Sequence, residues 1–284
     1  MKQLYRFVRS HALGSRAPLR AFANILLWQL RARISRTAVR CRWIDGSFLM
    51  VRRGMTGATG NLYVGLHEFA DMGFVLHFLR AGDLFIDVGA NVGSYTVLAS
   101  RLCGACSIAF EPDPGTCQSL ADNIRANNIQ PLVSTHESAV GADIGQVSFS
   151  MHKDTVNHIV EAGDRSEYVR SVAITTLDAA LAGQHPALIK IDVEGYEPAV
   201  VQGAQEILAD QSLKALILEG FDDATFALLS RHGFQQYAYD PFKRKLVAGE
   251  PHEWGGNNLF LRDVAFVARR VSTAQSRTIF GQTF

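Results

Sequence analysis

Residues 84–96 read LFIDVGANVGSYT, and the rest of the chain is best interpreted outward from them. A short apolar run ends in Asp87, a turn with Gly89 and Gly93 follows, and an apolar helical pattern continues to residue 104. This order predicts a buried parallel strand, a tight turn and a helix, and open α/β sheets bind ligands at the carboxyl ends of such strands. The glycines let backbone N–H groups approach a ligand, and Asp87 is placed to accept a hydrogen bond from a ligand ammonium or hydroxyl group.

The sequence on both sides of this stretch alternates strand and helix patterns. Further strands are predicted at 107–110, 132–135, 187–192, 213–218, 235–239 and 258–261, and the last two can pair antiparallel. Two short strands, at 146–151 and 171–175, surround a polar loop. The pattern predicts a doubly wound seven-stranded α/β sheet of the Rossmann-like kind with antiparallel strands at one end.

Three regions are expected along the chain: a basic extension over 1–60, a main domain over 61–268 and a weakly ordered tail over 269–284. In the extension, a helix is predicted after Pro18, and Asp45-Gly46 predicts a β-hairpin. A second helix is predicted over 62–79, which places Glu68 near the ligand or, equally well, in solvent. The apolar positions that follow helical spacing after Pro18 are Leu19, Phe22, Ala23, Leu26, Leu30 and Ile34.

The net charge of +1 conceals a strong asymmetry. Residues 1–42 contain ten Lys/Arg residues and no Asp or Glu, so the remainder carries 18 basic against 27 acidic residues. An acidic body argues against nucleic acid as a partner. The basic helix suits an anionic membrane surface or a targeting segment, but packing on its own domain with a solvated basic face is favoured. No apolar run is long enough to span a membrane, and the four cysteines suit a reducing, cytoplasmic compartment.

The turn does not match the usual nucleotide-binding motifs. Counted from Gly89, the dinucleotide fingerprint requires glycine at positions occupied by Asn91 and Ser94. Glu111 lies 22 residues after Gly89, where an acid at the end of the second strand can accept hydrogen bonds from ribose hydroxyls. A carboxylate as close as Asp87 disfavours a pyrophosphate and suits an ammonium and a sulfonium. The electrostatics therefore favour S-adenosylmethionine.

Three motifs resemble the signature of the FkbM family of S-adenosylmethionine-dependent methyltransferases: DVGANVG at 87–93, FEP at 110–112 and IKIDVEGYE at 189–197. The resemblance runs from about residue 60 to residue 219, and the third motif is its most specific part. It implies a class I methyltransferase sheet and methyl transfer to a hydroxyl of a sugar or a polyketide-like metabolite. By match to its motifs, the cofactor would be held by Asp87, Gly89, Asn91 and Gly93 around the methionine part, Glu111 at the ribose, and Glu137 and Ser138 near the adenine.

The fourth strand carries the candidate catalytic groups. Lys190, Asp192 and Glu194 alternate, so an extended strand would present all three on one face at its carboxyl end. Asp192 is the first candidate to orient or deprotonate a hydroxyl acceptor, Glu194 is the second, and Lys190 is expected to neutralise one of them. The alternative is an ion-pair network that braces strand and helix. Mg²⁺ lacks an evident third ligand, so no metal is predicted, and His158 in the polar loop is a weaker candidate base.

Three functions follow from these residues. The first is an S-adenosylmethionine-dependent O-methyltransferase that acts on a hydroxyl of a sugar or glycan, a glycolipid precursor or a secondary metabolite. The second is an NAD-dependent Rossmann oxidoreductase or epimerase, which Asn91 and Ser94 disfavour. The third is a non-catalytic cofactor-binding module that docks on a membrane or partner through residues 1–42. The oligomeric state is not predicted.

Overall fold

A computed structural model describes residues 2–35, 37–150, 159, 169–249 and 256–284. The strands are β1 (Val39–Arg42), β2 (Phe48–Val51), β3 (Leu84–Val88), β4 (Cys106–Phe110), β5 (Val133–His136), β6 (Ala139–Val140), β7 (Gly145–Ser150), β8 (Val169–Thr175), β9 (Leu188–Ile191), β10 (Ala215–Leu218), β11 (Gln235–Asp240), β12 (Lys245–Ala248), β13 (Asn258–Leu261), β14 (Thr278–Ile279) and β15 (Gln282–Thr283). The α-helices are α1 (Lys2–Ser10), α2 (Pro18–Ile34), α3 (Thr56–Val64), α4 (Phe69–Phe78), α5 (Ser94–Val97), α6 (Pro114–Ala126), α7 (Leu177–Ala180), α8 (Glu197–Gln202), α9 (Gln205–Ala209), α10 (Asp223–Arg231) and α11 (Val264–Ser272). A π-helical turn, Leu98–Leu102, prolongs α5, and a 3₁₀ turn, Gln130–Leu132, precedes β5.

The core of the fold is an eight-stranded sheet in the order β12-β11-β13-β10-β9-β3-β4-β5. Strands β10, β9, β3, β4 and β5 are parallel, whereas β13, β11 and β12 are antiparallel. The predicted doubly wound sheet with an antiparallel end is confirmed. The described part adds one strand to the predicted seven, because the chain after β11 turns back and pairs as β12.

Both faces of this sheet are buried, which explains why its central strands read as continuous apolar runs. Successive side chains of β3 point to opposite faces: Phe85 packs into the cluster under α4 and α11, and Ile86 packs into the cluster under α8, α9 and α10. The carboxyl ends of β3, β4, β9 and β10 consequently meet at one edge, as expected for a ligand site.

The helix predicted over 62–79 is two helices, α3 and α4, which separate at Gly65. Gly65 has φ +91°, and its carbonyl oxygen accepts a hydrogen bond from Trp43 Nε1 at 2.5 Å. A Cβ at this position would lie 2.5 Å from Ile279 Cγ2, so only glycine fits. The amide oxygen of Asn61 accepts a hydrogen bond from the His67 backbone N–H across the break. Helix α3 includes residue 60, so the predicted boundary between the N-terminal extension and the main domain falls inside a helix.

The tail predicted to be weakly ordered is packed against the main domain. Helix α11 buries Val267 and Val271, and β14 and β15 form a short hairpin. Phe284 is 3% exposed, and its ring packs against Phe69 with 5.2 Å between ring centroids. This segment looks polar in the sequence because its few apolar side chains are widely spaced.

The short strands predicted around the polar loop form a separate three-stranded sheet. Strands β7 and β8 pair antiparallel, and β6 pairs parallel with β8. Most of the loop, including His158, lies outside the described residues. This small sheet leaves the main sheet directly after β5 and therefore stands near the ligand edge.

The N-terminal extension packs on the main domain. The predicted hairpin around Asp45 and Gly46 is confirmed as β1 and β2, and these two residues have φ values of +44° and +77°. Asn123 of α6 and Asn127, which follows the helix, hold β2, because their side-chain oxygens accept hydrogen bonds from the backbone N–H groups of Met50 and Phe48, respectively. In the described part of the chain, no helix has the length and apolar character needed to cross a membrane.

Candidate active site

The turn after β3 is stabilised by hydrogen bonds within the chain. Gly89 and Asn91 have φ values of +74° and +51°. The N–H groups of Gly89 and Ala90 both donate to the carbonyl oxygen of Phe110, and the Gly93 N–H donates to Ala90. The N–H groups of this turn are thus used by the fold itself, which differs from a turn that offers them to a phosphate.

Glycine is required at position 89 because another loop packs against it. A Cβ on Gly89 would lie 1.9 Å from the carbonyl oxygen of Asp192. This close approach places the residues after β9 directly beside the turn after β3. At Gly93, which has φ +84°, a Cβ would meet Leu120 of α6 at 2.3 Å. Gly93 therefore secures the packing of α6.

Glu111 follows β4 and faces the same turn. One carboxylate oxygen accepts a hydrogen bond from the Asn91 N–H at 3.0 Å, and the other accepts one from the Asp113 N–H at 2.9 Å. The side chain is 7% exposed, and burial raises its pKa to about 7 in spite of these two hydrogen bonds. Each oxygen keeps a lone pair with which it can accept a further hydrogen bond from a ligand.

A cavity of about 490 Å³ opens between these loops and the N-terminal extension. Its floor is formed by the ends of β3, β4 and β9. Its opposite wall includes Leu4 and Phe7 of α1 and Asn61 of α3, which no sequence motif had indicated. Asn61 is 2% exposed and donates a hydrogen bond to Ser94 at the start of α5. Residues 1–60 therefore complete the candidate site as well as extending the domain.

The cavity contains most of the predicted site residues. As far as the structure describes the chain, its lining includes Glu68, Gly89, Asn91, Glu111, Ser138, Lys190, Asp192 and Glu194 and leaves out Asp87, Gly93 and Glu137. Glu137 is exposed on the segment after β5. Asp87 lies behind the wall, where its carboxylate accepts a hydrogen bond from Thr96 Oγ1 at 2.6 Å. Asp87 is thus a buried neighbour of the cavity, and its role as a ligand contact stays a prediction.

Tyr95 contacts one acidic and one basic group of the cavity. Its hydroxyl donates to Glu68 Oε2 at 2.7 Å, and its ring lies under Lys190 Nζ at 4.7 Å. Asp71 is buried one helical turn after Glu68, and burial together with the Glu68 charge raises the pKa of Asp71 to about 8. This side of the cavity therefore has a marked excess of acidic groups.

Lys190 and Asp192 form an ion pair at the end of β9. The distance between Lys190 Nζ and Asp192 Oδ2 is 2.5 Å, and the side chains are 3% and 28% exposed. Burial alone would lower the pKa of Lys190, but the carboxylates of Asp192, Glu68 and Asp87 outweigh burial and raise it. Burial would raise the pKa of Asp192, but Lys190 holds it below its usual range.

The predicted alternation does not continue past this pair, because β9 ends at Ile191. Glu194 has φ +54°, and the loop 193–196 is held by Glu197, whose carboxylate accepts hydrogen bonds from the Val193 and Gly195 N–H groups. The turn nevertheless brings Glu194 back towards Asp192. Carboxylate oxygens of Asp192, Glu194 and Glu219 all lie within 4.8 Å of one another.

Glu219, directly after β10, is another site residue that the sequence interpretation did not assign. Burial, followed by the charges of Asp192 and Glu194, raises its pKa to about 8, and its side chain shares a hydrogen bond with Asp192. A protonated Glu219 beside an ionised Asp192 explains how two carboxyl groups can be adjacent. The sequence signal that could have identified Glu219 is its position directly after a buried parallel strand. The same signal identified Glu111.

The three carboxylates supply the third oxygen ligand that the sequence lacked for a divalent cation such as Mg²⁺. Lys190 already neutralises part of their charge, since it is paired with Asp192. The prediction that no metal is used stays a prediction.

Comparisons with known proteins place this geometry in a protein class. The sequence profile described as the methyltransferase FkbM domain matches residues 87–235, which is more than half of the chain. The chain belongs to the FkbM methyltransferase domain family. The resemblance identified from the three motifs is thereby confirmed.

One curated relative is named hexuronic acid methyltransferase AglP, from Haloferax volcanii. It is 27% identical over 139 residues, which cover 48% of this chain and 55% of the relative. The chain thus matches only about half the length of that relative.

Two solved structures were also similar. An FkbM methyltransferase from Methylobacillus flagellatus KT has a TM-score of 0.45 and 17% identity, with 84% of this chain and 59% of that chain covered. A tRNA (uracil-54, C5)-methyltransferase from Pyrococcus abyssi in complex with S-adenosyl-L-homocysteine has a TM-score of 0.43 and 11% identity, with 80% and 44% covered. At these scores the likenesses carry no argument of their own, and the fold rests on the order of the sheet.

Proposed function

We propose that this chain is an S-adenosylmethionine-dependent O-methyltransferase that methylates a hydroxyl group of a sugar or glycan, a glycolipid precursor or a secondary metabolite. The observation that carries the proposal is the carboxyl pair of Asp192 and Glu219 in the same cavity as Glu111 and the glycine turn. Membership of the FkbM family and the name of the Haloferax relative support it.

The residues of the cavity fit the cofactor. Glu111 keeps two lone pairs for the two ribose hydroxyls after it has accepted its backbone hydrogen bonds. Glu68 and Asp192 suit an ammonium and a sulfonium, whereas they would repel a pyrophosphate. A volume of about 490 Å³ lies in the ordinary range for small-molecule sites. When bound, the cofactor supplies an electrophilic methyl carbon.

Asp192 is placed to act on the acceptor. Lys190 keeps it ionised, and its side chain is partly open to the cavity. The acceptor hydroxyl donates its hydrogen bond to Asp192, which aligns the oxygen for in-line transfer. Asp192 would accept the hydroxyl proton while the acceptor oxygen takes the methyl group that the cofactor supplies. Glu219 is a positioning residue. Its side chain shares a hydrogen bond with Asp192, which holds the Asp192 carboxylate in one orientation towards the acceptor.

The acceptor class is proposed from the relative and from the site. The Haloferax protein is named for a hexuronic acid, which is a sugar with several hydroxyls. The carboxylates that line the cavity are suitable acceptors for such hydroxyls. Screening labelled methyl transfer into sugars and lipid-linked glycans identifies the acceptor directly, and the same reactions run with a chelator test whether a divalent cation is needed.

Asp192→Asn separates binding from chemistry. We expect calorimetric binding of S-adenosylhomocysteine within about threefold of the wild type, because the substitution preserves shape, and loss of methyl transfer by about two to four orders of magnitude. Asp143→Asn, on an exposed loop before β7, is the matched control and should change neither quantity. Unchanged turnover in Asp192→Asn would remove Asp192 from the mechanism.

Glu111 gives the cofactor site a pH signature. Its pKa of about 7 means that the free protein holds a proton there below neutrality. Hydroxyl donors stabilise the ionised form, so the affinity for S-adenosylhomocysteine should rise between pH 6 and pH 8. Glu111→Gln should bind about tenfold more weakly and show a flat pH profile, since a charge-assisted hydrogen bond contributes roughly 1.5 kcal/mol or more.

The two other functions have distinct outcomes in these assays. Tight binding of NAD(H) in place of S-adenosylhomocysteine would support an oxidoreductase or epimerase. Binding of S-adenosylhomocysteine with no methyl transfer to any hydroxyl acceptor would support a non-catalytic module.

A further inference from the structure

Helix α2 has two apolar faces, and only one of them packs on the protein. The inner face buries Ala21, Ile25 and Trp28 against the N-terminal core. The helical spacing identified in the sequence belongs to the other face, which is in solvent. Its exposed residues are Leu19, Ala23, Leu26, Leu27, Leu30 and Ile34, and we call them the outer stripe.

The outer stripe is too apolar for an ordinary solvated helix face. Leu19 and Ile34, at its two ends, are 87% and 85% exposed. Tyr5 of α1 is also exposed and stacks on Phe22 beside the stripe, with 6.0 Å between ring centroids. A contiguous apolar strip of this kind marks a surface that is covered by a partner.

The charges around the outer stripe identify the kind of partner. Helical spacing places Arg31 on one flank of the stripe and Arg33 on the other, and both are exposed. Residues 1–42 contain ten Lys/Arg residues and no acidic residue. An apolar helix face between rows of arginine matches the boundary between acyl chains and anionic headgroups.

A cavity beside the stripe suits a headgroup. It has a volume of about 290 Å³ and lies between α2 and the segment that enters α3. Arg33 and Arg53 line it together with Gln29, Thr59 and Tyr63. Two guanidinium groups and three polar side chains can receive a phosphate that hangs from a lipid bound along the stripe.

A second copy of the chain fits this surface less well. Self-association through the outer stripe would bring the arginine flanks of two α2 helices together, with no acidic residue in 1–42 to separate them. Such like-charge contacts are destabilising. An anionic lipid surface offers both the apolar depth and the opposite charge.

We propose that α2, with the exposed side of α1, docks this protein on an anionic phospholipid membrane. The helix lies in the plane of the interface, with the outer stripe in the acyl region and Arg31 and Arg33 among the headgroups. Leu4 and Phe7 of α1 line the candidate active site, so the docked helices include part of the cavity wall. The proposal does not depend on methyl transfer, because docking is measured without a substrate.

Vesicle sedimentation of the full chain tests the proposal. We expect binding to vesicles of phosphatidylcholine mixed with phosphatidylglycerol, much weaker binding to pure phosphatidylcholine, and release from the mixed vesicles as salt is raised to 1 M, where the Debye length is about 3 Å. Absence of binding to the mixed vesicles at low salt would overturn the proposal.

Two double variants test the two components of the surface. Leu26→Ser with Leu30→Ser removes the centre of the outer stripe, and Arg31→Gln with Arg33→Gln removes the flanking charge. Each should weaken binding on the order of tenfold or more, because every basic residue near an anionic surface and every buried leucine adds to the affinity. The matched control combines Ile144→Ser and Arg231→Gln, which are exposed residues elsewhere on the protein.

The outcomes are distinguishable from one another. Retained binding in both double variants would overturn the proposal. A dimer in sedimentation velocity that Leu26→Ser with Leu30→Ser converts into a monomer would assign the stripe to a second copy and would also overturn it. Circular dichroism and S-adenosylhomocysteine binding should be unchanged in all variants, because none of the substituted residues lines the candidate active site.

Discussion

Lys190→Met is the substitution that examines the acidic cavity most directly. Lys190 Nζ lies 2.5 Å from Asp192 Oδ2, and only 3% of the lysine side chain is exposed. Methionine preserves most of the volume and removes the charge, so Asp192 and its acidic neighbours lose their cation. Removing one partner of a buried pair usually costs about 3–5 kcal/mol. Since 28% of the Asp192 side chain is exposed, we expect a loss near 3 kcal/mol at pH 8.

The pH dependence of this loss of stability tests whether Lys190 neutralises Asp192. In the wild type, Lys190 holds the folded-state pKa of Asp192 below 3.8, so the stability that Asp192 contributes is present above pH 3.8 and is lost only as the pH falls through that lower pKa. In Lys190→Met, the lysine no longer offsets burial, so burial would raise the folded pKa of Asp192 above the unfolded value, with only the hydrogen bond from Glu219 opposing it. Between these two pKa values the folded variant binds a proton that the unfolded variant does not. The stability of the variant therefore falls as the pH rises. The deficit should therefore shrink on acidification, by at most about 1.4 kcal/mol per pH unit within that window.

Urea unfolding followed by circular dichroism at pH 5, 6.5 and 8 measures the deficit. The matched control is Lys214→Met, because Lys214 and Asp263 form an ion pair at 3.3 Å with side chains 19% and 46% exposed. A pair this exposed should contribute about 1 kcal/mol or less. Asp192→Asn added to Lys190→Met should recover stability, since it removes the unpaired charge. A Lys190→Met deficit that is the same at pH 5 and pH 8, or no larger than that of Lys214→Met, would refute the account of the cavity.

Two further substitutions test the packing around the site. Gly89→Ala places a Cβ 1.9 Å from the Asp192 carbonyl oxygen, so it should destabilise the fold by several kcal/mol and weaken S-adenosylhomocysteine binding; Gly46→Ala, at φ +77° with open space around it, should cost only about 1–2 kcal/mol. Equal melting temperatures for the two variants would contradict the contact. Tyr239→Phe removes the hydroxyl that lies 2.7 Å from His77 Nδ1 and should cost about 1–3 kcal/mol. Burial lowers the pKa of His77 to about 3, so this loss should be the same at pH 5 and pH 8, and a pH-dependent loss would show that His77 is charged.

The sheet and the glycine turn could be predicted because their signals are local. A buried parallel strand has an uninterrupted apolar run, and the turn after it needs small residues wherever another segment comes close. Asp87, Glu111 and Asp192 were therefore correctly placed at the ends of strands. The same signal was present at Glu219, where β10 ends, and the sequence interpretation did not use it.

The remaining features depend on contacts between distant segments. Asn61 lines the cavity just before the break at Gly65, where a Cβ would meet Ile279, more than 200 residues later. The Asp87 carboxylate accepts a hydrogen bond from Thr96 in the next helix, a partner that the strand pattern does not indicate. The convergence of Glu194 on Asp192 depends on a positive φ, which an alternating strand pattern does not indicate.

Helix α2 shows what the helical spacing of apolar residues cannot predict. Apolar residues at helical spacing identify a face, but they do not say what covers it, and α2 has two such faces. The sequence favoured packing of the helix on its own domain, and the structure does bury Ala21, Ile25 and Trp28. The spacing that supported that expectation, from Leu19 to Ile34, belongs to the face that the domain leaves exposed. Because one helix cannot bury both faces against one surface, the second stripe, with its arginine flanks, is the basis of our proposal that an anionic membrane covers it.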